Sequence, residues 1–490
     1  MTSLDEYDNI AAPFLMSRGL KFYSDQFNMH FPLPYYWAYL FSPLWLSASF
    51  SRAIAVFRLS LVFVYLISFI LVFISYTNKK SKYSFSFWVV LLTLILPLYH
   101  GNLYLSDAFS TIFIVSLFWL YVPMVLHWEK FTNYHLFIST LLISLAFWTQ
   151  PLLGILFITP LFFISYSQIK KYFSFSFFLN IIPIFLMFLN NQLFDFIDQT
   201  IIFNNQIYSR FFPEQIKNYP MMLQNLIVFF PHELTLFSFP KDPFSAFQFI
   251  SHLSLVIFLI YLIYKKQSKY IYAILVIIIS TRIREIKISP GQLFNCSFYP
   301  FIAIASSSLF LILFNTKNKI IRFFYCSLIV FSFIFSAKSL SPIIDQSLRP
   351  GYNYHVFWSN RQRLGEEIAS LTTPDEKILI YPYDSDLYYF SNRLPFDKFI
   401  YWYPWINRNS NYRQQRLNAL SDNPPKLIYY SNMSYRDNPT EYSSYFPQLL
   451  SEYRQIFFEC EATNYWLLDN PSKPFHSGFS FACPLPISHN

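Results

Sequence analysis

The sequence predicts a mainly α-helical membrane protein, with a bundle of about ten spans and an external α/β domain at its C-terminus. Of 490 residues, 54% are hydrophobic, 22% are aromatic and only 13% are charged, a composition typical of polytopic membrane proteins. The apolar stretches run for roughly 15 to 24 residues and lack the alternation of outer-membrane barrel strands, so helices are the expected spanning form.

Ten apolar stretches predict the spans. They cover residues 54–77, 84–99, 105–126, 134–148, 151–166, 172–190, 248–264, 270–281, 297–314 and 321–340. The second, fourth and fifth are shorter than the roughly 20 residues of a perpendicular crossing. One pair could therefore form a re-entrant hairpin broken at Thr-Gln-Pro, residues 149–151. Loss of both members would leave the orientation of every other span unchanged.

Basic residues mark one face of the predicted bundle. The alternate loops read NKKSK, HWEKFTN, QIKK, KKQSK and TKNK, and with Arg322 they hold 12 of the chain's 36 basic residues but one of its 27 acids, Glu129. Because positively charged loops are retained in the cytoplasm, these loops are predicted to be cytoplasmic. The net charge of +9 therefore belongs to a membrane face and does not indicate a nucleic-acid partner.

Three large pieces are then external: residues 1–53, a loop at 191–247 and a tail at 341–490, with the transmembrane domain at 54–340. In the tail, KILIYPYD, KLIYYS and DKFIYWYPW are predicted to be strands and NYRQQRLNALSD a helix, which gives an α/β layer. Cys460 and Cys483 both lie in the tail, where a disulfide can persist; a buried free thiol is the alternative.

An acidic pair, a helix ending near Gly19, an aromatic segment containing Asp25 and the sequence HFPLPYYW precede the first long span. This order resembles the first external loop of the GT-C superfamily, membrane glycosyltransferases that use polyprenyl-phosphate-linked sugars. The superfamily includes protein O-mannosyltransferases and lipid A aminoarabinose transferases. The tail segments YDSDLYYFSNRLP, FIYWYPW and NPPKLIYYS resemble the small α/β domain of many bacterial members.

The resemblance implies a GT-C-like bundle in the bacterial inner membrane, with its active site and tail on the periplasmic side. It implies a polyprenyl-phosphate sugar donor and a glycan, lipid or protein acceptor. Because the related enzymes carry a span before this loop, Met1 is predicted to be an internal or misassigned start. Two other classes are the alternatives. A lipid or sugar transporter or flippase would be expected to bury charge in its spans and often to show two halves related by a repeat. A structural membrane scaffold with an external domain would need neither Asp5 nor the arginines Arg282 and Arg284.

The catalytic candidates lie in the first external segment. The resemblance implies that Asp5 is the general base of an inverting transfer, with Glu6 beside it. Helix capping by Asp5 or Asp8 is the structural alternative. His30 suits substrate binding or proton transfer, although a histidine that anchors an interfacial turn is nearly as good an explanation. Asp25 is a weaker candidate.

The substrate-binding candidates lie further along the chain. Asp107 lies at the outer end of the third span, and the resemblance implies that it positions the donor or binds a divalent metal. The metal stays open because no ligand cluster has a recognisable spacing. Arg282, Arg284 and Lys287 follow a short span and are predicted to clamp the lipid phosphate, with snorkelling to headgroups as the alternative. In the loop at 191–247, membrane-surface helices are favoured over substrate contacts for the polar residues Tyr208, Arg210, His232 and Glu233.

Overall fold

The computed structural model describes residues 5–46, 50–99, 103–208, 243–265, 268–281, 283, 295–348, 353–381, 384–402, 406, 408–422, 424–431, 454–456 and 465–469. In the first helix, the side chains are described from Asn9 onward. Several predicted residues lie outside the described part of the chain: Arg210, His232, Glu233, Arg282, Arg284, Lys287, Cys460 and Cys483.

The described chain is mainly α-helical, as predicted. Three helices precede the first span: α1 Asp5–Ser17, α2 Leu33–Leu40 and α3 Ser42–Trp45. The first half of the bundle then contains α4 Phe50–Ser75, α5 Lys79–Ile95, α6 Ser106–Val125, α7 Asn133–Thr149, a 3₁₀ helix at Pro151–Phe162 and α8 Tyr166–Leu189.

After α8 the chain forms a short helix, α9 Leu193–Phe196, and two π-helical turns, Ile197–Ile202 and Asn204–Tyr208. The second half of the bundle contains α10 Pro243–Tyr264, α11 Ser268–Ser280, α12 Asn295–Asn315 and α13 Lys319–Leu348. A helix thus lies at each of the ten predicted stretches. Among the described helices, α4, α6, α8, α10 and α13 are long and apolar enough to cross a membrane.

The fifth predicted span is a 3₁₀ helix of 12 residues. Its rise of about 2.0 Å per residue gives a length of about 24 Å, against about 18 Å for an α-helix of the same number of residues. Three of its four buried residues, Leu153, Leu156 and Thr159, recur every three residues, and Pro160 is the fourth; three residues is the period of a 3₁₀ helix. A segment that is short by residue count therefore covers much of the roughly 30 Å hydrocarbon core.

The 3₁₀ helix and α7 form an antiparallel hairpin that turns at the predicted break. Ring contacts join them between Phe147 and Phe157, with centroids 6.0 Å apart, and between the flanking residues Phe131 and Phe163, with centroids 5.7 Å apart. The C-terminal end of α7 also contacts the first turn of α6, through Gln150. The hairpin therefore extends as far as α6 does, which favours two crossings over a re-entrant loop.

Helix α6 is the centre of the bundle. All of its residues from Ala108 to Val125 are buried, and it packs against α4, α7, α11 and α12. By contrast, α8 lies at the periphery, and polar side chains attach it to α7. The indole nitrogen of Trp148 donates to Oδ1 of Asn180 at 3.0 Å, and Nδ2 of Asn180 donates to Ser144 at 3.0 Å. Such interhelical hydrogen bonds join apolar helices that gain little from burial against each other in lipid.

The basic loops meet at one end of the bundle. Glu129, the single acid among them, accepts hydrogen bonds from the backbone N–H groups of Thr77 and Asn78 at 3.0 and 2.8 Å. Gln168 donates to Asn133 at 3.1 Å in the neighbouring loop. The remaining candidate pieces meet at the opposite end, where Tyr36 donates to Gln192 at 2.9 Å. The predicted alternation of loops thus agrees with the packing of the described residues.

The described tail contains α14 Asn353–Ser370, β1 Ile378–Tyr381, α15 Asp386–Ser391, α16 Ser410–Asp422, β2 Leu427–Ser431, β3 Arg454–Ile456 and β4 Tyr465–Asp469. The described strands pair in the order β1-β2-β4-β3, with β1 and β2 parallel and the other pairs antiparallel. Strands β1 and β2 lie in KILIYPYD and KLIYYS, and α16 lies at the predicted helix.

One predicted strand is wrong. Residues 397–402, the described part of DKFIYWYPW, form bends and pair with no strand. Their apolar and aromatic pattern resembles that of a buried strand because Phe399, Tyr401 and Trp402 are all buried. Two of these rings surround Phe27 from the first external segment. Tertiary packing, rather than strand pairing, therefore explains the hydrophobicity of this segment.

Candidate functional site

Helix α1 carries Asp5 and Glu6 in its first turn. It ends in a Schellman motif at Gly19, where the N–H of Leu20 donates to the carbonyl of Leu15 at 3.1 Å and the N–H of Gly19 donates to that of Met16 at 3.0 Å. Gly19 has a φ of +90°, which other residues adopt only with strain. The glycine thus ends the helix and redirects the chain toward His30.

The loop from Phe22 to His30 holds the candidate histidine. The backbone N–H of His30 donates to Oδ1 of Asn28 at 2.8 Å, and its carbonyl accepts from the hydroxyl of Tyr23 at 2.8 Å. Burial raises the pKa of Tyr23 well above its ordinary value, so this phenol remains a donor. Nδ1 of His30 lies 3.0 Å from the hydroxyl of Tyr35, and the two rings stack. Asn28 and Tyr23 therefore fix the backbone of His30, and Tyr35 fixes its ring.

Asp107 lies in the first turn of α6, where free backbone N–H groups favour a carboxylate. Its Oδ1 accepts a hydrogen bond of 2.8 Å from Nε2 of Gln150, at the junction between α7 and the 3₁₀ helix. Its carbonyl accepts from the hydroxyls of Ser110 and Thr111. The sequence predicts Asp107 at the outer end of a span, and in the structure it lies at the N-terminal end of α6, next to the C-terminal end of α7.

Contacts bring α1, the His30 loop and the Asp107 turn to the same end of the bundle. Asn9, one helical turn after Asp5, donates to the carbonyl of Tyr104 at 2.7 Å, and Tyr104 donates to the carbonyl of Pro34 at 2.6 Å. Tyr104 lies three residues before Asp107. The candidates of the first segment and of the third span are therefore joined through one tyrosine.

A second connection runs through the C-terminal end of α7. Phe31, next to His30, packs against Phe147 and Trp148 with ring centroids 5.7 and 6.0 Å away. Gln150, two residues after Trp148, contacts Asp107. His30 and Asp107 are thus both attached to the last turn of α7, which gives them a common support.

Helix α11 ends at this same end of the bundle. Tyr270 and Tyr272, at the start of α11, pack against Phe163 and Phe162 at the end of the 3₁₀ helix, with centroid distances of 5.0 and 6.2 Å. Because α11 packs along the 3₁₀ helix, its last residues lie toward Pro151. Arg282, Arg284 and Lys287 follow that end in the sequence, and their own placement lies outside the described residues.

Two weaker candidates have structural contacts. Asp25 is exposed, and its Oδ2 accepts the N–H of Lys21 at 2.8 Å while its own N–H donates to the Lys21 carbonyl at 3.0 Å, which closes a turn. Tyr208 ends the second π-helical turn and packs against the core as a partly buried residue. Within the described residues, no three His, Cys, Asp or Glu side chains gather as a metal site.

Sequence reasoning missed three polar residues. Gln150 supports Asp107, and Gln199 supports the His30 loop. A neutral amide in a sequence does not indicate such a role, because the role depends on contacts that only the fold shows. His252 is buried within α10, where Nδ1 lies 2.6 Å from the carbonyl of Gln248 and the ring packs against Phe301 at 4.9 Å. A carbonyl only accepts, so Nδ1 carries a proton. Its position inside a span was the available signal.

Comparison with known proteins assigns no family. No family model matches the chain, and no curated protein matches it. Among solved structures, the chain is similar to the crystal structure of ArnT from Cupriavidus metallidurans in the apo state, with a TM-score of 0.47 and 11% sequence identity. The superposition covers 96% of this chain and 93% of that chain. A similarity of this extent does not transfer an activity from one protein to the other.

Proposed function

We propose that this chain is a membrane glycosyltransferase of the GT-C type. It transfers a sugar from a polyprenyl-phosphate donor to a glycan, lipid or protein acceptor at the outer face of the bacterial inner membrane. The observation that carries the proposal is the meeting of α1, the His30 loop and the Asp107–Gln150 pair at one end of the bundle. The resemblance of the first external segment supplies the chemical assignment.

The proposed reaction is a single inverting displacement. The acceptor oxygen forms a bond to the anomeric carbon while the bond from that carbon to the phosphate oxygen breaks. Asp5 takes the acceptor proton, and the polyprenyl phosphate leaves with the bonding electrons. Arg282, Arg284 and Lys287 stabilise the departing phosphate, because guanidinium and ammonium groups bind phosphate oxygens strongly.

The other candidates shape the site around this displacement. Glu6 adjoins the base in the first turn of α1. His30, fixed by Tyr35, contributes a hydrogen bond to the substrate, and Asp107 positions the donor with its carboxylate oriented by Gln150. A preorganised arrangement of this kind lowers the barrier because the groups need not reorient during the reaction.

A transfer assay tests the proposal. Proteoliposomes containing the full chain are incubated with radiolabelled polyprenyl-phosphate sugars and with membrane extracts as the acceptor source. We expect transfer by the wild type and a fall of about 10²- to 10⁴-fold for Asp5→Asn, the usual effect of losing a general base. Arg284→Ala is expected to raise the apparent KM for the donor as well.

Asp8→Asn is the matched control, because it removes the same charge from the same end of α1. A loss of helix-dipole stabilisation would affect both variants alike, whereas the loss of a base affects Asp5→Asn alone. Full activity of a folded Asp5→Asn protein would exclude Asp5 as the base. Movement of intact lipid-linked sugar across the bilayer, without transfer for any donor, would favour the transporter alternative.

A further inference from the structure

The loop that ends in His30 is supported from outside itself. The side chain of Gln199, in the first π-helical turn, accepts from the N–H of Asn28 at 2.8 Å and donates to the carbonyl of Tyr23 at 2.7 Å. Asn204 donates to the carbonyl of Met29 at 2.8 Å. The conformation of this loop is therefore set by side chains that lie about 170 positions later in the sequence.

The C-terminal tail supplies a second support. Phe27 is fully buried, and four rings surround it at centroid distances of 5.2 to 6.0 Å: Phe203, Phe399, Tyr401 and Tyr412. Three of these rings belong to the tail. The backbone N–H of Phe27 also donates to the carbonyl of Lys398 at 2.6 Å. We name the four rings the Phe27 socket.

Tyr412 ties the socket to the π-helical turns. Its hydroxyl donates to Oδ2 of Asp198 at 2.5 Å, and its ring packs against Phe203 at 5.5 Å. Burial, and secondly the carboxylate of Asp198, raise the pKa of Tyr412 well above its ordinary value, so the hydroxyl remains a donor. Asp198 adjoins Gln199, so one turn contacts both the tail and the His30 loop.

We propose that Phe27 and Tyr412 are positioning residues through which the C-terminal tail holds His30 in its working place. The inference rests on the proposed function only in assigning His30 to the site. Each residue from Phe27 to His30 makes a backbone hydrogen bond that fixes this part of the loop. The partners are, in order, Lys398, Gln199, Asn204 and Asn28. Removal of the Phe27 ring loosens the part of the loop from Phe27 to His30, and His30 gains freedom as a result.

A chemical readout tests this without requiring sugar transfer. The purified full chain is treated with diethyl pyrocarbonate, and the modification rate of His30 is measured by mass spectrometry relative to exposed His127 at the opposite end of the bundle. For Phe27→Ala, we expect the His30/His127 rate ratio to rise by about threefold or more, because local opening exposes groups that the native packing shields. Tyr412→Phe, which keeps the ring and removes only the hydroxyl, should change it in the same direction by a smaller factor.

Phe85→Ala is the matched control. Phe85 is equally enclosed within the bundle and also contacts four aromatic rings, those of Phe69, Tyr76, Trp88 and Trp119. Phe85→Ala should leave the His30/His127 ratio unchanged while destabilising the protein to an extent similar to that of Phe27→Ala. Phe27→Met, which restores apolar volume, should return the ratio toward the wild-type value.

Transfer kinetics give the second readout. With an active preparation, Phe27→Ala should lower kcat about tenfold and leave the KM for the donor within about twofold. This is the pattern expected when a group that acts in the transition state, here His30, is misplaced. An unchanged His30/His127 ratio in Phe27→Ala, or the same change in Phe85→Ala, would overturn the positioning role. Absence of transfer by the wild type would instead refute the proposed function, and the modification ratios would still decide the inference.

Discussion

Nε2 of Gln150 donates a hydrogen bond of 2.8 Å to Oδ1 of Asp107. This contact joins the junction between α7 and the 3₁₀ helix to the first turn of α6. Since Pro151 follows Gln150, the chain cannot continue the α-helical hydrogen bonding through this junction. At this break, the side-chain amide of Gln150 orients a carboxylate that the sequence predicts at the outer membrane boundary.

Substitution of Gln150 should reduce transfer without removing it. Gln150→Leu deletes the donor to Asp107, and a hydrogen bond to a charged group contributes about 1.5 to 3 kcal/mol, so we expect a loss of at least about tenfold in kcat/KM. Asp107→Asn should cost more, because it also removes the charge. Steady-state transfer rates at several donor concentrations measure both effects.

Thr149→Val provides the comparison for Gln150→Leu. Its hydroxyl donates within α7, to the carbonyl of Leu145 at 2.9 Å, so the substitution alters the same helix end without touching Asp107. Its transfer rate should stay within about twofold of wild type. Equal losses in the two variants would mean that the helix end, and not the contact with Asp107, accounts for the effect.

Hydropathy predicted where the bundle elements lie but could not predict their type. The break at Gln150 was visible because Thr-Gln-Pro interrupts an apolar run. The 3₁₀ form of the next segment was not, because apolar length does not distinguish a rise of about 2.0 Å from one of about 1.5 Å. The supporting contacts of His30 were hidden for a different reason: Gln199 and Tyr412 meet its loop only through the tertiary fold.

Charge counting had a similar limit at Glu129. It identified this residue as the lone acid among the basic loops, but it gave no reason for its presence. The structure provides one, since Glu129 accepts from Thr77 and Asn78 at the start of α5. Carboxylates favour such helix N-termini because the backbone N–H groups there lack intrahelical acceptors.

Loss of the Glu129 carboxylate should destabilise the protein. We expect Glu129→Gln to lower the free energy of unfolding by about 1 to 3 kcal/mol, since it weakens charge-assisted bonds to two partly buried backbone amides at the start of α5. Thermal unfolding of the detergent-solubilised protein measures the change. Asp422→Asn, which neutralises an exposed acid, should stay within about 0.5 kcal/mol of wild type.

The effect of Glu129→Gln should also depend on pH. Burial by itself raises the pKa of Glu129, but the hydrogen bonds from Thr77 and Asn78 together outweigh it and hold the pKa below its ordinary 4.5. A carboxyl with a lowered folded pKa stabilises the protein at neutral pH, and this contribution is lost as the pH falls through the folded value. The wild-type advantage should therefore shrink below about pH 4.5. A constant advantage at acid pH would contradict this role.

In the tail, Arg361 holds two buried carboxylates. Nη1 lies 2.9 Å from Oδ1 of Asp384, and Nε donates to Oδ2 of Asp386 at 2.9 Å. Arg361→Met leaves both acids without their cation, and breaking a buried pair in this way costs about 3 to 5 kcal/mol. Limited proteolysis of the tail measures the loss. Arg363→Met is the control, because its pair with Glu367 is 3.9 Å long and partly exposed, a type of pair worth at most about 1 kcal/mol.

The penalty of Arg361→Met should be smaller in acid. Burial raises the pKa of Asp386 to about 6 even though Arg361 lowers it, so loss of the arginine raises it further. A carboxyl with a raised folded pKa stabilises the fold when protonated, and that contribution is lost as the pH rises through the folded value. The variant's deficit should thus be smaller at about pH 5 than at about pH 7.5. The opposite order would show that the acids are not the source of the cost.

The packing of the loops predicts opposite sides of the membrane for Lys21 and Lys80, which are both exposed. Lys80 lies two residues after Asn78, which bonds to Glu129 at the basic end of the bundle. Lys21 adjoins the His30 loop at the other end. In whole cells, with the native cysteines replaced, a membrane-impermeant thiol reagent should label Lys21→Cys and spare Lys80→Cys until the membrane is opened. Labelling of both in intact cells would show that the basic end does not lie in the cytoplasm. The assignment of the site to the outer face would then lose its basis.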